Sequence, residues 1–318
     1  MPHPNTKILT FDIGGTLVKL GVVDARGQVL LTRQIETHAG DGGAALLARL
    51  LKVAQPLVAV HRPAGVAFST LGIIDAVDGR ITGAADAIPG YLGQSPKRLF
   101  ETALGLPVVV ENDVNCVAMA EGWTGAASGI GNYIALTLGT GIGGGIVIDG
   151  QLYRGAHAAA GEWGYMIINS QQWEDVASLR GLATLAAQAV PGCSLDAEQV
   201  FVRHDQGDAA HTAVVQHWMQ LLASGIVNLI YAFDPQRIIV GGGITGRGPV
   251  FLQELQQALD TLLHPDFRGL TELRLAAAGN SAGMLGAARC WLARHPAPAM
   301  ATRSPALETE SPAWPASR

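Results

Sequence analysis

The sequence has little charge and few cysteines for its length. Only 15% of its 318 residues are charged and the net charge is -5, so nucleic acid and acidic membranes are not expected partners. Cys116, Cys193 and Cys290 are far apart and odd in number, so neither a disulfide framework nor a CxxC metal site is predicted. No signal-peptide hydrophobic region precedes Lys7, and no run reaches about 18 apolar residues. We therefore expect a cytoplasmic protein.

Glycine, in contrast, is abundant. The chain has 40 glycines without a Gly-X-Y period, and they cluster in short runs beside apolar segments. Such runs are typical of places where the backbone approaches a ligand closely. No GxxxxGK[ST] loop occurs, and the GxGxxG string within LGTGIGGG is followed by a predicted strand instead of a helix. Neither a Walker-type nor a Rossmann-type nucleotide site is therefore predicted.

Two segments share the pattern of strand, glycine turn, strand, turn and strand. They are KILTFDIGGTLVKLGVVDARGQVLL at residues 7–31 and YIALTLGTGIGGGIVIDGQLY at residues 133–153. Aligning residues 10–14 with residues 137–141 superposes the two patterns. This internal similarity predicts a duplicated α/β fold, in which each half begins with a β-meander and continues into helices.

Hydrophobic periodicity predicts the remaining elements. Buried parallel strands are expected at 57–70 (LVAVHRPAGVAFST), 106–112 (LPVVVEN) and 236–240 (QRIIV). Helices are expected at 44–57, 115–126, 212–233, 250–263 and 281–295. We predict a small N-terminal lobe at residues 1–115, completed by the last helix at about 281–295, and a large lobe at 116–280. The Pro, Ala and Ser mixture at 296–318 has no periodicity and predicts a disordered tail.

The glycine turns of the two meanders are candidate phosphate-binding sites. Phosphate oxygens need several N–H donors converging within about 3 Å, which side chains would obstruct. The donors expected are those of Gly14, Gly15, Thr16, Thr140, Gly141, Ile142 and Gly143. Asp12, beside the first turn, is placed to hold Mg²⁺ through water. The alternative is that both turns are simply tight, with glycine at positive φ and no ligand.

Six motifs then identify a resemblance. DIGGT, STLG with IID, END, LGTGIGGG, GAHAAAGEWGY and IIVGGGIT occur in the order found in the ROK family of sugar kinases and related repressors. The resemblance extends over about residues 8–292. It implies a duplicated actin-like ATPase (ribonuclease H-like) fold with two lobes around an active-site cleft. It also implies ATP and Mg²⁺ as cofactors, a small sugar as substrate, and a homodimer.

The resemblance also assigns the residues of the site. In the END motif it implies Asp113 as the catalytic base and Asn112 as a ligand of the sugar ring, whereas the residues alone equally allow a helix cap there. The substrate residues implied are Gly72, Asn112, Asp113, Glu162, Tyr165 and Glu174. The nucleotide residues implied are Asp12, Gly14, Gly15, Thr16, Lys19, Thr140, Gly141 and Gly143, with Gly241, Gly242 and Gly243 bordering the adenosine.

Residues 161–181 (GEWGYMIINSQQWEDVASLRG) both match the family and depart from it. Glu162 and Glu174 are the expected carboxylates for sugar hydroxyls, although Glu174 would also suit a solvated first helical turn. The family's zinc-binding cysteine cluster is missing, and Tyr165 replaces its histidine, so we expect a branch without structural zinc. Trp163 and Trp173 are expected to supply rigidity by apolar packing.

The function predicted is ATP- and Mg²⁺-dependent phosphorylation of the 6-hydroxyl of a hexose or hexose derivative, glucokinase-like or β-glucoside kinase-like. An N-acylhexosamine (N-acetylmannosamine) kinase is the main alternative. A non-catalytic ROK sugar-sensing regulator is the other, and it is disfavoured because such repressors carry an additional DNA-binding domain before the first strand. The negative net charge also disfavours DNA binding.

Overall fold

A computed structural model describes residue 3 and residues 5–296 of the chain. The strands are β1 (Lys7–Ile13), β2 (Leu17–Asp24), β3 (Val29–Glu36), β4 (Gly65–Thr70), β5 (Ile73–Asp75), β6 (Arg80–Gly83), β7 (Val108–Asn112), β8 (Tyr133–Leu138), β9 (Ile142–Ile148), β10 (Gln151–Tyr153), β11 (Ile167–Ile168), β12 (Gln171–Gln172), β13 (Arg237–Gly241) and β14 (Glu272–Leu275). The helices are α1 (Gly43–His61), α2 (Pro96–Leu104), α3 (Asp113–Thr124), α4 (Trp173–Ala177), α5 (Leu179–Ala189), α6 (Ala197–Asp205), α7 (Ala209–Phe233), α8 (Pro249–Leu262) and α9 (Ala282–Arg294). Apart from Pro296, the tail predicted at 296–318 lies outside the described residues.

Two five-stranded sheets of the same topology confirm the predicted duplication. The strand order is β3-β2-β1-β4-β7 in the first sheet and β10-β9-β8-β13-β14 in the second. In each sheet the first three strands form an antiparallel meander, and two later strands add in parallel. The parallel additions place the carboxyl ends of these strands at one edge of each sheet, which is where open α/β sheets bind ligands.

The register of the internal repeat differs from the predicted alignment. In the first meander Ile13 is the last residue of β1 and pairs with Val18, and in the second Leu138 is the last residue of β8 and pairs with Ile142. Counted from these ends, Asp12 corresponds to Thr137, whereas the sequence alignment equated it with Gly139. The alignment was therefore wrong by two residues. A slip of two residues keeps every side chain on the same face of a strand, so the hydrophobic alternation cannot detect it.

Two helices, α3 and α9, lie between the two sheets. α3 packs against β8 and β9 of the second sheet, and α9 packs against β1 and β4 of the first. They also contact each other closely, because a Cβ at Gly286 of α9 would collide with the backbone carbonyl of Cys116 in α3. The contact of α9 with the first sheet is compatible with the predicted lobes, whose boundaries remain a prediction.

Residues 57–61 correct one predicted strand. The segment LVAVH belongs to the end of α1, and the strand begins only at Gly65. Leu50, Ala54 and Leu57 are buried at helical spacing, so the β-branched residues that follow remain on the same helix. The helix ends where Arg62 adopts the left-handed conformation (φ 49°) and its N–H bonds the carbonyl of Val58.

Among the residues that the structure describes, two helices are long and apolar enough to span a membrane by length and composition alone, namely α1 and α7. Of the apolar window in α7, 67% is buried inside the protein, and of that in α1, 33%. A core helix of a folded domain satisfies the same criterion. For α7, packing in the core of the second half accounts for its apolar sequence.

Candidate active site

A cleft of about 800 Å³ lies between the two sheets, at the edge where β1 and β13 end. It brings together predicted nucleotide and catalytic residues from both halves of the chain, namely Asp12, Gly14, Thr16, Lys19, Asp113, Gly241, Gly242 and Gly243. Gly15, Thr140 and Gly141 do not line it. The lining residues that were not predicted include Thr137, Glu121 and the Gly279–Gly283 region.

Asp12 lies at the floor of this cleft. Its Oδ1 accepts a hydrogen bond of 2.7 Å from the hydroxyl of Ser69, which is its partner in the β1–β4 register. Gly283 in the first turn of α9 leaves room for the carboxylate, since a Cβ there would collide with it. Burial raises the pKa of Asp12, and the Ser69 hydrogen bond and the nearby Lys19 ammonium oppose that rise. The second oxygen remains available for a cation.

Lys19 reaches the cleft from β2. Its Nζ donates to the backbone carbonyl of Asn280, 3.1 Å away, on the opposite wall. The hydrogen bond of this ammonium is to a neutral carbonyl, and the nearby Asp12 carboxylate interacts with its charge without holding it in a recognised salt bridge among the described residues. This charge can attract an anionic ligand such as a phosphate.

The glycine turns are not tight turns at positive φ. Neither Gly14 nor Gly15 has a φ in the left-handed region, and the same holds for Gly141 and Gly143. At Gly15 the nearest atom to an added Cβ would be 4.0 Å away, so the protein itself does not require a glycine there. The second hairpin differs, because a Cβ at Gly143 would come within 2.6 Å of Val114 in α3. Packing of α3 on β9 therefore already explains Gly143.

Asn112 and Asp113 occupy the junction between β7 and α3. The Asn112 side chain caps α3, accepting hydrogen bonds from the N–H groups of Val114 (2.9 Å) and Asn115 (3.1 Å). Its Nδ2 donates to the carbonyl of Gly72, 3.1 Å away, which leaves one N–H for a ligand. Asp113 is not the cap, and its carboxylate faces the cleft. The alternative prediction of a helix cap is thus confirmed for Asn112.

A smaller pocket of about 150 Å³ opens on the other side of Asp113. Its lining includes the predicted substrate residues Gly72, Asn112, Asp113 and Glu162, together with Gly143, which had been assigned to the nucleotide. Gly72 has φ 103° and a Cβ there would lie 2.9 Å from the carbonyl of Gly83, so only glycine fits. Asp113 lines both this pocket and the cleft.

Close backbone packing places Glu162 in the smaller pocket. A Cβ at Gly161 would collide with the carbonyl of Gly144, and a Cβ at Gly144 would collide with the ring of Trp163. The 161–165 segment therefore lies directly on β9. Trp163 is buried, and Trp173 is completely buried and donates from Nε1 to the carbonyl of Leu221 (3.0 Å). The predicted apolar packing of both tryptophans is confirmed.

Glu174 and Tyr165 lie outside the lining of the pocket. Glu174 is at the first turn of α4, and its Oε2 is 3.4 Å from the N–H of Ile142, beside the second glycine hairpin. Tyr165 is 55% exposed at the rim. His157 in the preceding loop is exposed. Of the predicted substrate residues Glu162, Tyr165 and Glu174, the structure therefore places Glu162 in the lining of the pocket.

The environment of Asp113 raises the pKa of its carboxylate. Burial, together with the charges of Asp12 and Glu162, raises the pKa of Asp113 to about 6, and the hydrogen bond that its carboxylate accepts from the N–H of Val114 opposes that rise. Burial and then the charge of Glu174 raise the pKa of Glu162. For Tyr165 the pKa is raised by burial first and then by Glu162. An acidic, partly desolvated site of this kind favours a cation or a hydroxyl donor as ligand.

The end of β13 forms the far wall of the cleft. Gly242 has φ 87° and passes so close to β8 that a Cβ would collide with the carbonyl of Leu138. Beyond Gly243, which lines both, a further cavity of about 610 Å³ has an apolar wall that includes Leu179 and Phe201. Bare backbone beside an apolar cavity suits a flat aromatic ring.

Glu121 is the functional residue that sequence reasoning missed most completely. It lies in α3, is fully buried, and its carboxylate accepts hydrogen bonds from the N–H groups of Ala126 (2.7 Å), Ala277 (2.9 Å) and Ala278 (2.8 Å). The last two belong to the loop between β14 and α9 that lines the cleft. No local motif indicates the bonds to Ala277 and Ala278, because these partners are more than 150 positions from Glu121. For Gly283, in contrast, the repeated glycines of SAGMLG were a usable signal of close packing.

Comparison with known proteins confirms the resemblance to the ROK family. The family model described as the ROK family matches residues 8–294. A β-glucoside kinase of Klebsiella pneumoniae is 38% identical over 292 residues, which cover 88% of this chain and 94% of that protein. A solved ROK hexokinase from Thermus thermophilus superposes with a TM-score of 0.80 at 29% identity, covering 91% of this chain and 99% of that one. A ROK family glucokinase from Streptomyces griseus, solved in complex with glucose and AMPPNP, has a TM-score of 0.74 at 29% identity. The match covers 89% of this chain and 98% of that one.

These structural neighbours have the actin-like ATPase fold, so the predicted fold class is confirmed. The family match spans both sheets, the cleft and the smaller pocket. The chain belongs to the ROK family.

Proposed function

We propose that the protein phosphorylates the 6-hydroxyl of a hexose or hexose derivative with ATP. The observation that carries this proposal is the position of Asp113, which lines both the large cleft and the smaller pocket. A nucleotide in the cleft and a sugar in the pocket would meet at this carboxylate. Phosphoryl transfer needs such an in-line approach of a hydroxyl to the γ-phosphate.

Asp113 has the properties of a general base. Its pKa of about 6 keeps it ionised at neutral pH and still basic enough to accept a hydroxyl proton. It would take the proton of the sugar 6-hydroxyl as that oxygen attacks the γ-phosphorus and ADP leaves. Asn112 offers one free N–H, and Glu162 offers acceptor oxygens, so both would orient the sugar ring. Glu174, and Tyr165 at the rim, would contact parts of the sugar that extend from the pocket.

The cleft suits a triphosphate with a magnesium ion. Asp12 offers one carboxylate oxygen that the protein does not use, which matches how Mg²⁺ binds through one or two carboxylates plus phosphate oxygens. The bound ion would neutralise the phosphate charge during transfer. Lys19 would pair with a phosphate, the N–H groups of Gly14, Gly15 and Thr16 would donate to its oxygens, and Gly241–Gly243 would border the adenosine. Thr140, Gly141 and Gly143 remain proposed on family resemblance alone.

The relatives leave several sugars in competition. The proteins similar to this chain include β-glucoside kinases at 34–38% identity and glucokinases at 27–30%. The exposed ring of Tyr165 at the pocket rim favours a sugar with a substituent that projects outwards. An N-acylhexosamine such as N-acetylmannosamine meets the same condition.

The test is an ADP-release assay with glucose, N-acetylmannosamine, fructose, allose and a β-glucoside. Sugar-dependent ADP release is expected for at least one of them, and the 6-deoxy form of that sugar is expected to give none. Asp113→Asn is expected to lower kcat by about 10²–10⁴-fold while sugar binding stays within about tenfold. Asp149→Asn is the matched control, because Asp149 is exposed in a turn at φ 51°, a conformation that asparagine tolerates. Correctly folded protein without any sugar-dependent turnover would refute the proposal. Light scattering would separately test the predicted homodimer by measuring the molar mass in solution.

A further inference from the structure

Glu111 precedes the Asn112–Asp113 junction and is almost completely buried, with 3% of its side chain exposed. Its Oε1 accepts hydrogen bonds from the backbone N–H of Asn112 (3.2 Å) and from Nδ2 of Asn115 (3.0 Å). Both donors belong to the turn that presents Asp113. The carboxylate therefore braces the catalytic junction from the interior of the protein.

Arg154 reaches the same carboxylate from the second half of the fold. It directly follows β10 and begins the segment that leads to Glu162. Its Nε and its Nη2 each lie 2.7 Å from Oε2 of Glu111, and Arg294 at the end of α9 lies 3.6 Å from that oxygen. The ion pair thus joins β7 of the first sheet to the segment that follows the second meander.

The contact between the two side chains is directional, and the Glu111 carboxylate is buried. Burial lowers the pKa of Arg154, but the charge and hydrogen bonds of Glu111 raise it by more. Two hydrogen bonds to one carboxylate oxygen constrain the guanidinium in a way that a single flexible ammonium does not. Removal of Arg154 would leave the buried Glu111 carboxylate with the longer 3.6 Å contact to Arg294 in place of two contacts of 2.7 Å.

The two ends of the ion pair support opposite walls of the smaller pocket. One wall carries Asn112 and Asp113, and the other carries Glu162. Arg154 itself lines neither this pocket nor the large cleft, so it would not touch a sugar or a nucleotide. We propose that the Glu111–Arg154 ion pair sets the spacing of the two walls, which makes Arg154 a positioning residue for sugar phosphorylation. This inference rests on the proposed function.

The test compares Arg154→Met with Arg154→Lys and with Arg98→Met as a matched control. Arg98 also pairs with a carboxylate, that of Asp78 at 2.7 Å, but it is 70% exposed on α2. Arg154→Met is expected to lower kcat/KM for the sugar by about 10²-fold, because small displacements of a reacting group have effects of that size. The KM for ATP should stay within about twofold, Arg154→Lys should recover part of the loss, and Arg98→Met should match the wild type.

A general loss of stability would change the kinetic constants for the sugar and for ATP equally. A change confined to the sugar constants therefore indicates that Arg154 positions the pocket walls and does not merely stabilise the fold. If Arg154→Met does not fold, Arg154→Lys and Glu111→Gln take its place, and unchanged sugar kinetics in both would overturn the role. A wild-type protein without sugar-dependent ADP release overturns the proposed function and this role together. An active wild type with an Arg154→Met variant of unchanged kcat/KM for the sugar overturns the positioning role alone.

Discussion

The raised pKa of Asp113 predicts an acidic limit to activity that an ordinary aspartate would not show. The base must be ionised to accept the hydroxyl proton, and its pKa of about 6 lies well above the usual 3.8. With that pKa, about 90% of the carboxylate is ionised at pH 7 but only about 10% at pH 5. kcat/KM for the sugar should therefore fall about tenfold between pH 7 and pH 5. With a pKa of 3.8 the change would be less than about 10%.

Glu162→Gln identifies the group responsible for this limit. The charge of Glu162 raises the pKa of Asp113, so its removal should move the midpoint of the pH profile to lower pH. Titration of the nucleotide, in contrast, would not respond to this substitution. The assay is kcat/KM for the sugar from pH 5 to pH 8 at saturating ATP and Mg²⁺, with ADP measured directly and folding checked by circular dichroism.

A flat wild-type profile between pH 5 and pH 7 would refute the assignment of Asp113 as a base with a raised pKa. A midpoint near pH 6 that stays in place in Glu162→Gln would assign the limit to another group. Asp149→Asn serves as the control for removal of a carboxylate, and its midpoint should equal that of the wild type.

Three further substitutions test residues that shape the site or contact its proposed ligands. Glu121→Gln should lower the free energy of unfolding by about 2–4 kcal/mol, because an amide nitrogen cannot accept the buried N–H groups, and it should raise the KM for ATP more than that for the sugar. Gly144→Ala should destabilise by about 1–3 kcal/mol and raise the sugar KM, since its Cβ would displace the ring of Trp163 next to Glu162. Lys19→Met should raise the KM for ATP about tenfold or more with little change in the melting temperature, because the hydrogen bond that its Nζ donates is to an exposed carbonyl.

Denaturant unfolding and substrate-specific kinetics check these three outcomes. An unchanged stability of Glu121→Gln would show that its hydrogen bonds contribute little. A Gly144→Ala variant with wild-type sugar kinetics would contradict the packing argument for the 161–165 segment. An ATP KM that Lys19→Met leaves unchanged would remove this lysine from the phosphate site.

The sequence predicted those parts of the site that lie within continuous motifs. Gly72, Asn112, Asp113 and Glu162 line one pocket, as their motifs indicated. Glu174 was aligned with a family carboxylate, but it lies beside the second glycine hairpin and does not line the pocket. Where a side chain points depends on the packing of distant segments, which no motif records.

The two glycine turns also show that local sequence does not reveal the packing of distant segments. Their composition correctly indicated the meanders, since strand alternation and turn chemistry are local properties. Their roles differ nevertheless, because α3 packs against Gly143 whereas nothing in the protein fills the space beside Gly15. The two-residue error in the internal alignment has a similar origin, because the pattern repeats every two residues.

The sequence by itself determined the duplicated α/β architecture, the position of the END junction and the family, because each depends on periodicity or on an ordered set of short motifs. Only the tertiary structure decided that Ser69 and Gly283 shape the site of Asp12, that Glu121 holds the loop before α9, and that Glu111 meets Arg154. The partners in these contacts are separated by between 43 and more than 150 positions in the chain. Such contacts form only when distant segments of the chain pack together, so no local pattern encodes them.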